Sequence, residues 1–272
     1  MKLNKRQLAG VAVAALLACS GAFAQAKKEV TIAHQDMLVP FQALMDSGAL
    51  EKATGYKINW RLFGGGGDVI KAMASGDVQL GQVGSSPLTA AASQGQDIKL
   101  FWILDDIADA EALIVRNGSG INSVKDLKGT KVAAPFVSTA HYQLMAVMKT
   151  DGVDAKGVNV MNLRPPEIAA AWERGDIDAA FIWDPVLSKI KGNGKVIESS
   201  KTIGARGFPT FDGLIVNAKW AAQNEAFMVT LVKLLAMAST AVFLKEQGCI
   251  QEMKPDYAAF VTDAYVKKAM AN

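Results

Sequence analysis

Short β-rich segments alternate with helical stretches from Lys28 onward, and this alternation constrains the fold more than any other feature of the 272-residue sequence. Residues 30–33 and 57–60 are rich in β-branched and aromatic side chains, whereas residues 41–54 and 69–75 carry helical patterns. Strands that alternate with helices predict an α/β protein with a mostly parallel sheet. Further strands are expected at residues 78–83, 98–103, 112–115, 131–133, 158–163, 179–183 and 214–216.

An internal similarity links two parts of the chain. Residues 74–81 resemble residues 173–180, and both patterns are typical of a helix, a capping glycine and a strand. A polar or aromatic cluster follows each strand, at residues 84–87 and 183–185. Two interpretations remain open. The chain forms two similar α/β lobes that face each other, or Gly-Asp simply recurs as ordinary punctuation between helices and strands.

The N-terminal segment indicates export. Lys2, Lys5 and Arg6 precede an apolar run over residues 8–17, and the small residues around Ala24 suit a cleavage site. We therefore expect a signal peptide at residues 1–24 and a periplasmic location. The alternative is lipid attachment through Cys19, which we rank second because the small-residue site follows so closely. No later segment reaches the ~18 apolar residues of a membrane helix, so we expect a soluble mature protein.

Charge and cysteine content exclude several classes of function. Loss of residues 1–24 lowers Lys plus Arg from 29 to 26, which equals the 26 Asp plus Glu, so nothing favours nucleic acid as a partner. Cys249 stands alone after the signal segment, and the chain has two histidines. The run Gly64–Gly67 lacks the Lys-Ser/Thr end of a phosphate-binding loop and is interpreted as a flexible turn before a helix. We expect no metal, no cofactor and no enzymatic activity.

Two segments predict helix N-termini that could hold an anion. Ser85 and Ser86 follow an apolar strand and open a helix, and Ser138, Thr139 and His141 repeat this arrangement. Free main-chain N–H groups and the positive end of the helix dipole favour an oxyanion at such a position. For an isolated Ser-Ser-Pro, however, an ordinary helix with a serine N-cap is the commoner structure.

Three residues at strand ends are candidates for the other end of a ligand. Asp212 precedes the apolar strand at residues 214–216, and Glu111 has a comparable position before residues 112–115. Either carboxylate could bind an ammonium group, although a carboxylate at this position is usually a turn former. Trp183 ends another strand, where it forms a wall against an alkyl or ammonium group or packs in the core.

Six separated segments resemble the taurine-binding proteins of sulfonate import systems, which are relatives of alkanesulfonate- and nitrate-binding proteins. They agree in order and spacing, and they cover residues 74–79 with 84–88, 111–113, 138–142, 162–166, 170–178 and 209–212. The resemblance implies an α/β protein with the two-lobe type II periplasmic binding protein fold. Each lobe would contain a mixed β-sheet, and the ligand would lie in the cleft between the lobes.

The resemblance also implies domain limits, site residues and partners. Lobe 1 would comprise residues 27–112 and 214–272, with a shortened C-terminal part, and lobe 2 residues 113–213. The family usually continues for roughly fifty residues more, which exceeds ordinary loop variation. We expect a monomer that interacts with an ABC transporter permease. The implied cleft residues are Gln35, Ser85, Ser86, Ser138, Thr139, His141, Trp183 and Asp212, with Glu111 as an additional acid.

The pattern of charges favours taurine as the ligand. A sulfonate offers three acceptor oxygens to N–H groups and hydroxyls at two helix ends, and Asp212 would hold the ammonium. Plain alkanesulfonates lack that cation, which leaves a buried carboxylate unpaired at a cost of ~1–3 kcal/mol. The alternatives are a protein for other alkanesulfonates, a ligand-sensing module, and an enzyme related to pyrimidine-precursor synthases. The single cysteine of the mature chain argues against the enzyme.

Overall fold

The computed structural model describes residues 28–37, 41–246 and 251–252, and the expected signal segment, Cys19 and Cys249 lie outside these ranges. The strands in the described ranges are β1 (Glu29–Gln35), β2 (Lys57–Phe63), β3 (Leu80–Gly84), β4 (Ile98–Asp106), β5 (Glu111–Arg116), β6 (Lys131–Ala134), β7 (Asn159–Asn162), β8 (Ala179–Trp183), β9 (Gly194–Ser199) and β10 (Phe211–Asn217). The α-helices are α1 (Phe41–Ser47), α2 (Ala49–Thr54), α3 (Gly66–Ala74), α4 (Ser85–Ser93), α5 (Thr139–Thr150), α6 (Pro165–Arg174), α7 (Val186–Lys191), α8 (Ser200–Ala205), α9 (Ala218–Gln223) and α10 (Glu225–Glu246).

Two five-stranded mixed sheets form two α/β lobes, which confirms the expected fold class. The first lobe is built on the order β2-β1-β3-β10-β4 and the second on β7-β6-β8-β5-β9. In each sheet one strand runs against both of its neighbours: β10 against β3 and β4, and β5 against β8 and β9. The two lobes therefore have the same topology. β3 and β8 occupy equivalent places, so the internal similarity between residues 74–81 and 173–180 reflects two similar lobes.

The chain crosses between the lobes twice. It leaves the first sheet after Asp106 and enters the second at Glu111, then returns between Ala205 and Phe211. The main-chain N–H of Ile107 donates to the carbonyl of Thr210 at 3.3 Å, so the two crossing segments lie side by side. Such a pair of short connections is suited to act as a hinge, because few residues have to absorb a rotation of the lobes.

Each lobe buries its own apolar core. In the second lobe Leu113, Leu144 and Phe181 are fully buried around the central strands. In the first lobe Leu50 of α2 and Leu231 of α10 are equally buried, so α10 packs on this lobe. Removal of these side chains from water is the main favourable contribution to folding of each lobe. No helix in the described ranges is both long enough and apolar enough to cross a membrane.

Several local expectations are wrong. Gly66 and Gly67 form the first turn of α3 and are buried, so the glycine run is not simply a flexible turn. Gly84 is the N-cap residue of α4, where a serine was expected. The sequence pattern also missed β9, and the helical stretch 41–54 is interrupted at Gly48, whose φ of 59° lies in the left-handed region.

Candidate functional site

Strand ends from both lobes meet at one small buried cavity. Its volume is about 10 Å³, close to the space that one water molecule needs. Six of the nine residues predicted from the sequence lie around it, together with four that were not predicted. The lining residues are Gln35, Met37, Gly66, Gly84, Pro87, Glu111, Ser138, Thr139, Trp183 and Asp212.

The lobes are in direct contact at Gly84. A Cβ atom added to this glycine would lie 2.6 Å from Cγ2 of Thr139 in the opposite lobe, and 3.3 Å from Oδ1 of Asp212. Real Cβ atoms essentially never approach another atom as closely as 2.6 Å. The absence of a side chain at residue 84 is therefore what allows the start of α4 to approach the start of α5.

Two helices begin at the cavity. Ser138 is the N-cap of α5, as predicted, since its Oγ accepts a hydrogen bond from the main-chain N–H of His141 at 3.1 Å. Thr139 is the first residue of α5, and α4 begins directly after Gly84. The first turn of a helix has N–H groups without partners inside the helix and carries positive potential. These two helix starts make the cavity suitable for an anion.

Gln35 is fixed in place by a neighbouring strand. Its main-chain N–H donates to Oε1 of Gln82, and its own Nε2 donates to the carbonyl of Gln82, both at 3.1 Å. Gln82 is fully buried in β3 and also donates to the sulfur of Met37 at 3.2 Å. Sequence analysis missed Gln82, because this residue lies inside an apolar strand.

Glu111 connects three elements beneath the cavity. Oγ1 of Thr139 donates to Oε1 of Glu111 at 2.7 Å, and Oγ of Ser200 lies 3.5 Å from Oε2. Burial raises the pKa of Glu111 to about 7, the two hydroxyl contacts oppose that rise, and Asp105 adds to it. A carboxyl with this pKa changes its charge near neutral pH.

Asp212 is the most isolated polar group of the cavity. The residue is 3 % exposed, and its Oδ2 has no hydrogen-bond partner in the described part of the chain. Burial raises the pKa of Asp212 well above its usual value, and the neighbouring Glu111 and Asp105 raise it further. An unpaired buried carboxyl favours either a proton or a cationic partner.

Asp105 is a third acid at this site, and sequence analysis missed it. It is the cross-strand neighbour of Asp212 in the pairing of β4 with β10. Burial raises the pKa of Asp105, the main-chain N–H of Asp212 opposes that rise, and Asp106 adds slightly to it. β4 was expected to end at residue 103, but it continues to Asp106, because Asp105 and Asp106 still pair with Asp212 and Phe211 of β10.

Trp183 forms one wall of the cavity. It ends β8, pairs with Glu111 across the sheet, and is 3 % exposed. Its indole N–H has no acceptor among the residues described. An indole offers an apolar face and one donor, which suits a short carbon chain that carries an acceptor group.

Three predicted residues do not line the cavity. Ser85 and Ser86 are half-buried in the first turn of α4. The ring of His141 stacks on Phe136 with centroids 4.3 Å apart, and burial lowers its pKa. The role of all nine predicted residues in ligand binding stays a prediction.

The lobes also make contact at the mouth of the cleft. Nε of Arg164 in the second lobe lies 3.2 Å from Oδ2 of Asp68 in α3. A Cβ on Gly67 would lie 3.1 Å from Cβ of Val137. Val137 has a φ of 57°, which is uncommon for a β-branched residue and marks a strained turn just before α5.

Larger hollows lie elsewhere in the described part of the chain. One of about 430 Å³ lies between the lobes beside this ion pair, with Asp68 and Lys71 on one side and Val137 and Arg164 on the other. A hollow of about 470 Å³ lies on the outside of the first lobe, but there the hydroxyl of Tyr56 is already satisfied by Oδ1 of Asn224 at 2.6 Å. Over the described ranges, no group of three His, Cys, Asp or Glu side chains is placed to hold a metal ion.

Two lobes of equal topology, two adjacent crossing segments and a polar cavity between the lobes define the two-lobe periplasmic binding protein fold. The chain belongs to the NMT1/THI5-like family, whose pattern matches residues 52–245. It is similar to the alkanesulfonate-binding protein SsuA from Xanthomonas axonopodis pv. citri bound to MOPS, with a TM-score of 0.71, 24% identity and coverage of 81% of this chain and 75% of that one. The aliphatic sulphonate binding protein SsuA from Escherichia coli gives a TM-score of 0.65, 25% identity and coverage of 83% and 76%.

Sequence relatives carry related names. The chain is 38% identical over 212 residues to the taurine-binding periplasmic protein of Escherichia coli (strain K12). This alignment covers 78% of this chain and 66% of the relative. It is 30% identical over 216 residues to a putative aliphatic sulfonates-binding protein of Bacillus subtilis (strain 168), and the alignment covers 78% of this chain and 64% of that relative. The chain thus spans about two thirds of the length of these relatives.

Proposed function

We propose that this protein captures taurine outside the cytoplasmic membrane and delivers it to an ABC importer. The observation that carries the proposal is Oδ2 of Asp212, a buried carboxyl oxygen without a partner in the described ranges. It faces a cavity that two helix N-termini also reach. A guest with an anionic end and an ammonium end satisfies both features, whereas a simple anion satisfies one.

The sulfonate end suits the helix starts. Its charge is constant at physiological pH, and main-chain N–H groups at the starts of α4 and α5 can reach different oxygens of the same group. The side-chain hydroxyls of Ser138 and Thr139 already donate elsewhere. Oγ of Ser138 donates to the carbonyl of Pro135 at 2.6 Å, and Oγ1 of Thr139 donates to Glu111. We therefore assign sulfonate binding mainly to the main chain.

The ammonium end suits the acid side of the cavity. Asp212 and Glu111 come from different lobes, so an ammonium group between them would draw the lobes together. Trp183 would pack against the two methylene groups of taurine. Because the closed cavity holds about 10 Å³, the lobes must separate to admit the guest and then close around it.

The partner and the location follow from the same proposal. A protein that reports binding by closing two lobes needs a membrane permease that recognises the closed form, and we assign that role to an ABC transporter permease. The relatives named above are binding proteins rather than enzymes. We propose that this chain is likewise a monomeric periplasmic binding protein without catalytic activity.

Titration calorimetry with taurine, ethanesulfonate and sulfate tests the proposal. We expect taurine to bind more tightly than ethanesulfonate at pH 8, and Asp212→Asn to weaken taurine roughly 10- to 100-fold, as expected for loss of a charged hydrogen bond. Asp97→Asn, at an exposed acid outside the cavity, is the matched control and should change nothing. Absence of heat with taurine, from protein shown to be folded, would refute the assignment.

A further inference from the structure

The cavity and the strands beside it carry more carboxyl groups than the proposed guest can neutralise. Asp105 and Asp212 are neighbours on β4 and β10, and Glu111 faces them from the second lobe close enough to affect the pKa of Asp212. Within residues 28–37, 41–246 and 251–252, no ion pair joins a lysine or arginine to any of the three. Taurine brings one ammonium group, so the closed cavity must keep protons on part of this cluster.

The remaining charged groups near the cluster are engaged elsewhere. The strand β3 and the helix α4, which pack against β10, contain no charged residue. Asp109, before β5, pairs with Lys201 of α8 at 3.6 Å, and Glu198 of β9 pairs with Arg206 at 3.3 Å. The other titratable neighbours are Asp106, which is exposed and accepts from the N–H of Ala108, His34 in β1 and His141 in α5.

We propose that a proton takes the place of the ammonium group when the guest has none, so that the preference for taurine over plain alkanesulfonates grows with pH. This inference rests on the proposed function. The geometry requires it, because an unpaired carboxylate beside a sulfonate would bury two negative charges in a cavity without a cation. A protonated carboxyl removes that cost and can also donate a hydrogen bond.

The protonation behaviour of the cluster supports this exchange. Burial raises the pKa of Glu111 to about 7, and the pKa of Asp212 lies well above its usual value. Protons are therefore available to the cluster near neutral pH. A taurine complex holds fewer protons than an ethanesulfonate complex, because the ammonium group favours the ionised carboxylate.

Asp105 sets the pH at which the preference changes. It raises the pKa of both Glu111 and Asp212, although it does not line the cavity itself. Asp105 therefore acts through its charge on the protonation of Glu111 and Asp212. Removal of its charge should move the change in preference to lower pH without loss of either ligand.

The test is the ratio of dissociation constants for ethanesulfonate and taurine, measured by calorimetry between about pH 5.5 and about pH 8. Both guests keep their charges over this range. If the two complexes differ by one proton, the ratio rises by about tenfold per pH unit while the cluster titrates. Calorimetry in two buffers of different ionisation enthalpy should give the same proton difference directly.

Variants and outcomes separate this inference from the proposed function. Asp105→Asn should shift the rise to lower pH, whereas Asp97→Asn, at an exposed acid outside the cluster, should leave it unchanged. A ratio that stays flat over the pH range, with both guests bound, would overturn proton exchange and leave taurine binding intact. Failure of taurine to bind at any pH would overturn both. Thermal denaturation of each variant establishes that it is folded.

Discussion

Gly84 shows how one missing side chain can determine whether the lobes close. Gly84 lies directly before α4 and contacts Thr139 of the other lobe. A Cβ on Gly84 would lie 2.6 Å from Cγ2 of Thr139. The backbone of Gly84 is extended, with φ −76° and ψ 168°, so alanine is free of local strain. A substitution here therefore acts on the contact with Thr139 across the cleft, and on Asp212 beside it, rather than on the backbone of the strand.

We predict that Gly84→Ala weakens taurine binding and leaves folding nearly unchanged. Overpacking of a close contact costs ~1–3 kcal/mol, which corresponds to roughly 5- to 150-fold in dissociation constant. Calorimetry measures the affinity. Gly192→Ala is the control, since that glycine has φ −58° and nothing lies within 4 Å of its added Cβ. Equal affinity of Gly84→Ala and wild type would show that binding does not require this contact.

At the residue scale the sequence predicted positions better than contacts. Asp212, Glu111 and Trp183 were recognisable because strand ends of an α/β lobe meet at one edge. Ser138 was recognisable as an N-cap from its place before an apolar helix. Asp105 and Gln82 were not, because their importance depends on which strands are neighbours in the sheet. That pairing is a property of the folded molecule.

Among the elements, β9 and the start of α3 escaped prediction for physical reasons. β9 has the sequence Gly194–Ser199, lies at the edge of its sheet and is half-exposed, so it lacks an apolar run. In the sequence alone, the glycines at the start of α3 are typical of a turn. In the fold they bring α3 against the second lobe, where Gly67 meets Val137. An edge strand and a close interlobe approach both depend on partners distant in sequence.

Arg164 and Asp68 form a contact between elements whose value depends on closure. The pair joins the start of α6 to α3, and its arginine side chain is 62% exposed. An exposed ion pair contributes little to folding, and it exists only when the mouth of the cleft is shut. Its contribution should therefore be visible in ligand affinity.

We predict that Arg164→Gln weakens taurine binding about twofold to fivefold, in line with ~0.3–1 kcal/mol for an exposed ion pair. A double-mutant cycle with Asp68→Asn isolates the pair from the separate effects of each side chain. Glu173→Gln removes an ion pair with Lys189 inside the second lobe and is the control. Purely additive effects of the two cleft substitutions would show that the pair does not contribute to closure.

For the whole molecule, the buried acids link stability to pH. Glu111 has a pKa of about 7 when folded and an ordinary value of 4.5. Between these values the folded chain holds a proton that the unfolded chain has released. The contribution of Glu111 to the free energy of unfolding is thus fully present below pH 4.5 and is lost as the pH rises toward 7. The loss from this group alone is about 3 kcal/mol at most, since one pKa unit corresponds to about 1.4 kcal/mol.

We predict that Glu111→Gln stabilises the protein against unfolding at pH 8 and has little effect at pH 5. The amide keeps an acceptor for the hydroxyl of Thr139 and offers a donor toward Ser200, so the local contacts survive without a charge to bury. The measurement is the free energy of unfolding from urea denaturation at the two pH values. Asp212 is retained, so part of the pH dependence should persist.

The control for this measurement is Glu173→Gln, an exposed acid whose pairing with Lys189 lowers its pKa, so it does not titrate between pH 5 and 8. Its difference from wild type should be the same at both values. If Glu111→Gln also differs equally from wild type at both, the carboxyl is charged in the folded state at pH 5. Glu111 would then lack the proton that a guest without an ammonium group requires. Another carboxyl of the cleft would have to supply that proton.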